Sequence, residues 1–89
     1  MDYEEALGIV KRHIERYVQE YIEERFEPGP DTNVQKELKL EPVDYALLLG
    51  YVIPGIERET GLDIADEDFF KRKTVGRMAK YLSKLKTKA

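Results

Sequence analysis

The chain has no cysteine and no tryptophan, one histidine, His13, and one serine, Ser83. Without cysteine there is no disulfide, thiol nucleophile or thiolate zinc site, and a lone histidine forms neither a metal-binding cluster nor a Ser-His-Asp triad. Nothing implies an oxidising compartment. Long apolar runs are also missing: the longest uncharged stretch, Tyr45 to Ile56, falls well short of the roughly 20 residues that span a bilayer. The first residues, Met-Asp-Tyr-Glu-Glu, are acidic where a secretory signal is basic. The expectation is a cytoplasmic protein with no membrane span. At 89 residues a chain buries only about 60 to 65% of its unfolded surface, which leaves room for one domain over 1–89 and excludes the large enzyme folds.

A small excess of acid, net charge −3, conceals a strong polarity along the chain. Residues 1–26 hold four cations and seven acids, residues 27–43 two and four, residues 44–70 one and seven, and residues 71–89 eight cations and no acid. The basic tail comprises Lys71, Arg72, Lys73, Arg77, Lys80, Lys84, Lys86 and Lys88. It attracts phosphates, but the acidic block just upstream repels them, and no aromatic stacking pattern or binding motif accompanies the charges. The tail therefore reads as the solvated face of a final helix, complementing its dipole, rather than as a nucleic-acid site.

Periodicity predicts helices throughout. Leu7, Val10, Ile14, Tyr17, Val18 and Tyr21 share one face of a helix expected from Tyr3 to Phe26, with Asp2 as N-cap, Glu5 completing a capping box and Pro28-Gly29-Pro30 as the stop. Residues 27–43 read as a long ordered loop. A central helix is expected from Asp44, as N-cap, to Thr60, with Gly61 closing it and Pro54 imposing a kink or a division into two shorter helices at 50–54. Its uncharged segment belongs mostly to the core, with Tyr45, Leu48 or Tyr51 as candidates for exposure. Asp66 to Phe70 reads as one short helical turn, and Thr74 caps a last helix carrying Val75, Met78, Ala79, Leu82 and Leu85. The fold class is all-α: three main helices, one short helix and a long first loop.

The dense carboxylates Glu57, Glu59, Asp63, Asp66, Glu67 and Asp68 lack the alternation, central glycine and closing glutamate of a calcium loop, so no metal site is expected. They lie on polar stretches rather than in a cleft, which disfavours paired-carboxylate catalysis and leaves docking of a basic partner, or plain solubility. His13 reads as a boundary residue of the first helix, and Tyr3, Tyr17 and Tyr21 as residues at the core edge. No enzyme is expected.

Two passages carry a resemblance. Glu57-Arg58-Glu59-Thr60-Gly61-Leu62-Asp63-Ile64-Ala65-Asp66-Glu67-Asp68-Phe69 resembles the passage from helix two to helix three of acyl carrier proteins, usually a glutamate-rich helix end, a glycine, then Ile-Pro-Asp-Glu. Lys73-Thr74-Val75-Gly76 is similar to the Thr-Val motif that opens the family's last helix. With the preceding apolar helix the likeness spans about residues 42–85. It implies an acyl-carrier-like four-helix bundle serving fatty acid or polyketide-type metabolism, with acyl groups carried as thioesters on 4'-phosphopantetheine. The arm belongs on the serine of an Asp-Ser-Leu motif at the start of helix two. Counting back without gaps from Ile64 and Thr74 puts that attachment position at Ala46, which has no hydroxyl. As written, the chain carries no cofactor; a native serine at 46 would restore 4'-phosphopantetheine.

The resemblance further implies partners, acyl-chain-processing enzymes or other proteins, docking on helix two and the acidic short helix through Asp44, Tyr45, Leu47, Glu57, Glu59, Asp63, Asp66, Glu67 and Asp68. Helix two of the family is read through acids, yet Leu47 to Ile56 is uncharged here, so its first half is left apolar contact. Three readings stay open: a carrier-like docking module without its arm, a true carrier whose acceptor serine was substituted by Ala46, and a small helical protein binding anions or nucleic acid through its basic C-terminal helix.

Overall fold

In the computed structural model, which describes residues 1–85, Asp2 accepts a hydrogen bond from the Glu5 N–H at 2.8 Å and starts α1, Tyr3–Tyr17. Ala6, Val10, His13 and Ile14 turn inward from it at helical spacing. The last turn widens to π geometry over Val18–Ile22 and closes on Glu23, which adopts a left-handed conformation (φ 61°) and donates its N–H to the Val18 carbonyl at 2.8 Å. The helix thus ends short of the expected Phe26. The left-handed residue stops it, and Pro28 acts only later, as a buried residue of the loop.

The expected long loop contains a short helix, α2, Val34–Glu37, N-capped by the Asn33 side chain. A single buried residue, Val34, pins it to the core; one apolar contact in one turn has no period to read. α2 closes with Lys39 left-handed and the Leu40 N–H returned to the Gln35 carbonyl at 2.9 Å, the usual solution for stranded helix carbonyls. Upstream, the loop crosses the start of the final helix, α5, Val75–Ser83. There the Val75 and Gly76 N–H groups donate to the Thr32 and Pro30 carbonyls at 3.0 and 2.8 Å, satisfying donors that a helix start leaves free. A Cβ on Gly76 would lie 2.8 Å from the Pro30 oxygen, so glycine is what permits this approach. Thr74 caps α5, accepting from the Arg77 N–H.

α3 runs unbroken over Pro42–Thr60. Its N-cap is Glu41, ahead of the expected Asp44, with Pro42 in the first turn, so Asp44 is a first-turn residue and not the cap. A proline at the first position has its φ preset for a helix and lacks only an N–H that would be unbonded anyway. Nor does α3 divide at 50–54. Pro54 removes the donor for the Gly50 carbonyl, but Gly50 is exposed, so the loss falls on the solvent side of the helix and not in the core. Gly61, left-handed at φ 75°, ends the helix, and α4, Asp66–Phe70, follows.

α1 packs chiefly against α5 and then α3. The buried apolar side chains form one cluster, with Ile14, Leu48, Leu49, Ile56, Phe69, Met78 and Leu82 fully enclosed. Among the described residues there is no strand, only a single bridge between Asn33 and Thr74. No helix among them is long and apolar enough to cross a membrane. The fold is all-α; Lys86 and Lys88 of the basic tail lie outside the described residues.

Candidate functional site

The position assigned to the attachment residue, Ala46, is exposed on α3, but a full turn into the helix rather than at its first residue. Around it the helical period and packing against the core sort the side chains. Tyr45, Leu48, Leu49, Val52, Ile53 and Ile56 recur at three-and-four spacing and are all buried. Val43, Leu47, Gly50 and Pro54 recur at the same spacing on the opposite side, where Val43 is 67% and Leu47 62% exposed. Two residues named as candidates for exposure, Tyr45 and Leu48, are therefore buried, and Tyr51 is half-buried. A segment apolar on every side does not announce which side faces out. Packing against the rest of the core decides it.

Beside this outward line stands an aromatic cluster. Tyr17, Tyr21 and Tyr51 have ring centroids 4.9 to 5.5 Å apart, and the Tyr51 hydroxyl donates to Glu20 at 3.1 Å. That bond, more than partial burial, raises the Tyr51 pKa. Burial first, then the nearby charge of Asp44, raises that of Tyr17, which sets Asp44 on the α1 side of the line. With Glu20 and Glu41 also exposed, acids outnumber bases along the margin of this apolar face, where Arg16 is the cation near Tyr51.

Tyr45, expected among the docking residues, points the other way. It is 4% exposed, its ring meets Phe70 edge-on at 6.2 Å, and its buried hydroxyl has no hydrogen-bond partner among the described residues. Burial raises its pKa. An orphaned buried hydroxyl costs about 1–3 kcal/mol.

The carboxylates expected to form one docking group are divided. Glu57 accepts from the Ile64 N–H at 3.1 Å and clasps the link between α3 and α4. Glu59 turns to α1, where it pairs with Arg12 and accepts from His13 Nε2 at 2.7 Å. Those two partners, Arg12 foremost, lower its pKa. His13 is thus no boundary residue: it is 4% exposed and lies against Gly55, whose glycine identity admits the ring. Asp63, Asp66 and Glu67 remain exposed, and Asp68 is half-buried. Among the described residues no group of three or more His, Asp or Glu side chains is placed to hold a metal ion.

The basic residues gather on another face. Lys71, Arg72, Arg77, Lys80 and Lys84 surround Tyr81 in an open depression of about 390 Å³ that no acid lines. Arg72 covers the Tyr81 ring at 4.9 Å, and the Tyr81 hydroxyl accepts from the Ala65 N–H. Both the ring face and the hydroxyl are thereby occupied within the fold.

No protein-family model, no curated protein and no solved structure matches the chain.

Proposed function

We propose that the protein is a non-catalytic docking module of acyl-carrier type, without the phosphopantetheine arm, recognised through the outward face of α3 by enzymes that handle acyl carriers. The observation that carries this reading is the exposed apolar line Val43–Leu47–Gly50, continued by half-buried Pro54, beside Ala46 on a surface otherwise rich in charge. An apolar centre edged by Asp44, Glu41 and Glu20 fits a partner with an apolar centre and a basic margin. The family's order of motifs, Gly61 through Asp68 and then Thr74-Val75, points to the class of partner.

Competition tests it. The protein is added to a phosphopantetheinyl transferase acting on a genuine acyl carrier protein with coenzyme A. It is expected to slow modification of that carrier, and Leu47→Asp, folded as shown by an unchanged melting temperature, is expected not to. Absence of competition overturns the reading.

A second reading, a working carrier whose serine was replaced, is favoured by the exposure of position 46, which would leave a hydroxyl there open to the transferase. Ala46→Ser should then gain one phosphopantetheine by intact mass, and a serine codon at 46 in the encoding gene should accompany it. No mass gain sinks this second reading. The third, anion or nucleic-acid binding, draws on the basic depression of α5. The covered Tyr81 ring offers no stacking platform for single strands.

A further inference from the structure

Four open recesses adjoin one another, and basic residues are what they share. The depression around Tyr81 meets a second recess at Lys71, where Pro42, Phe70 and Lys73 also stand. Lys73 in turn borders a third, which holds Lys36 and Lys39. On the other flank Arg77 and Lys80 also line a fourth, beside Tyr3 and Pro30. Lys36 and Lys39, the two cations of the otherwise acidic segment 27–43, are thus joined to those of the α4–α5 link and of α5 in one strip. Asp31 is the one acid that lines these four recesses. The ion pairs among the described residues engage Arg12, His13 and Arg25 and none of the eight cations of the strip, all of which are exposed except half-buried Arg72.

We propose that this strip rests on an anionic lipid surface, with its lysines among the headgroups and no segment crossing the bilayer. Two observations choose lipid over nucleic acid. Six of the eight cations are lysines, compact charges on flexible stems suited to diffuse attraction, whereas base edges and bidentate phosphate contacts select arginine. Apolar groups also stand among them: Tyr3, 37% exposed, beside Arg77 and Lys80, and half-buried Phe70 with Pro42 beside Lys71 and Lys73. Lysine stems and aromatic rings lie together at headgroup depth, while a phosphate backbone gives such rings nothing to meet. The Tyr81 ring, covered by Arg72, is closed to a stacking base. Each cation within a screening length of an anionic leaflet strengthens binding about fivefold, so a contiguous strip holds where scattered lysines do not. The excess of acid in the chain, 18 to 15, does not oppose this, because charges more than about 10 Å from the contact are screened at 0.1 M salt. The strip is separate from the apolar face of α3, and the proposal does not rest on the docking reading.

Co-sedimentation of the full chain with vesicles tests it. Vesicles of phosphatidylcholine with about one part in three phosphatidylglycerol are compared with phosphatidylcholine alone and, by titration at the same salt, with a short DNA duplex. Binding to the anionic vesicles only is expected at low salt, with loss by about 0.5 M, where the screening length falls to a few ångströms. Lys36→Gln with Lys39→Gln, and separately Lys80→Gln with Lys84→Gln, are each expected to weaken it at least about tenfold with unchanged melting temperature, while Leu47→Asp leaves it intact. Equal binding to phosphatidylcholine alone would mean apolar adsorption, and binding to the duplex as tight as to the anionic vesicles a nucleic-acid surface; either overturns the proposal. So does the absence of vesicle binding, its loss in Leu47→Asp, or wild-type affinity in the Lys36 and Lys39 variant, which would show that the strip does not act as one face.

Discussion

Two glycines of α3 show how much a single side chain decides. At Gly55 an added Cβ would sit 2.9 Å from His13 Nδ1, a distance no real contact of this kind keeps, so Gly55→Ala must displace the ring and with it the bond to Glu59. It is expected to lower stability by about 1–3 kcal/mol. Gly50 meets nothing within 4 Å and is exposed, and Gly50→Ala should raise stability by about 0.5–1 kcal/mol. Urea unfolding midpoints of the two variants check both signs. Glu59 itself makes the fold acid-sensitive. Arg12, then His13, lowers its pKa, so the unfolded chain takes up this proton more readily than the folded one. The stabilisation is therefore complete above the ordinary carboxylate range and is lost as pH falls through the lowered value. The stability difference between wild type and Glu59→Gln is expected to shrink between about pH 5 and pH 3; a difference constant with pH overturns this role. None of this was legible in the sequence, because His13 and Glu59 are far apart in the chain and nothing local marks them as neighbours.

At the scale of elements, the junction between the loop and α5 rests on a cap and a close approach. Thr74→Ala removes the acceptor for the Arg77 N–H and is expected to cost about 1 kcal/mol. Gly76→Ala pushes on the Pro30 carbonyl, a backbone atom that cannot swing aside, and should also free the loop. Faster amide exchange at Val75 and Gly76 is the measurement, and protection equal to wild type would show that the junction accommodates the methyl. The caps were readable: Asp2, Thr74 and Gly61 each sit where side-chain or backbone chemistry demands, and the long amphipathic runs of α1 and α5 announce themselves by period. The rest was not. α2 is held by Val34 alone, the end of α1 is set by the conformation of Glu23 rather than by a proline, and the outward side of α3 follows from tertiary packing that a segment apolar on every side does not encode. For the same reason the docking residues inferred from chain position mix exposed Leu47 with buried Tyr45.

Over the whole molecule, charge is separated rather than balanced. Lys71, Arg72, Arg77, Lys80 and Lys84 face one depression, while Asp63, Asp66 and Glu67 are exposed elsewhere. A patch of this kind acts on charged surfaces even when the total charge has the wrong sign. The protein, at net −3, is expected to be retained by a sulfonate cation exchanger at pH 7 and low ionic strength. Release is expected by about 0.2 M salt, where the screening length falls below 10 Å. Lys80→Glu with Lys84→Glu should pass through unretained, and equal retention of that variant would locate the effect in another face.

The partnership of α1 with α5 also bears on how the molecule comes into being. The first helix and the last are each other's main neighbours, and the loop after α1 finishes its hydrogen bonding only on Val75 and Gly76. A chain emerging from the ribosome therefore offers Val10, Ile14 and Val18 only the α3 part of their native surroundings until α5 has been translated. Local helices form within about a microsecond, but contacts between distant segments must wait for loop closure. Native packing is thus a late event in the life of each copy, and the nascent helix is an apolar segment for a holding chaperone to shield.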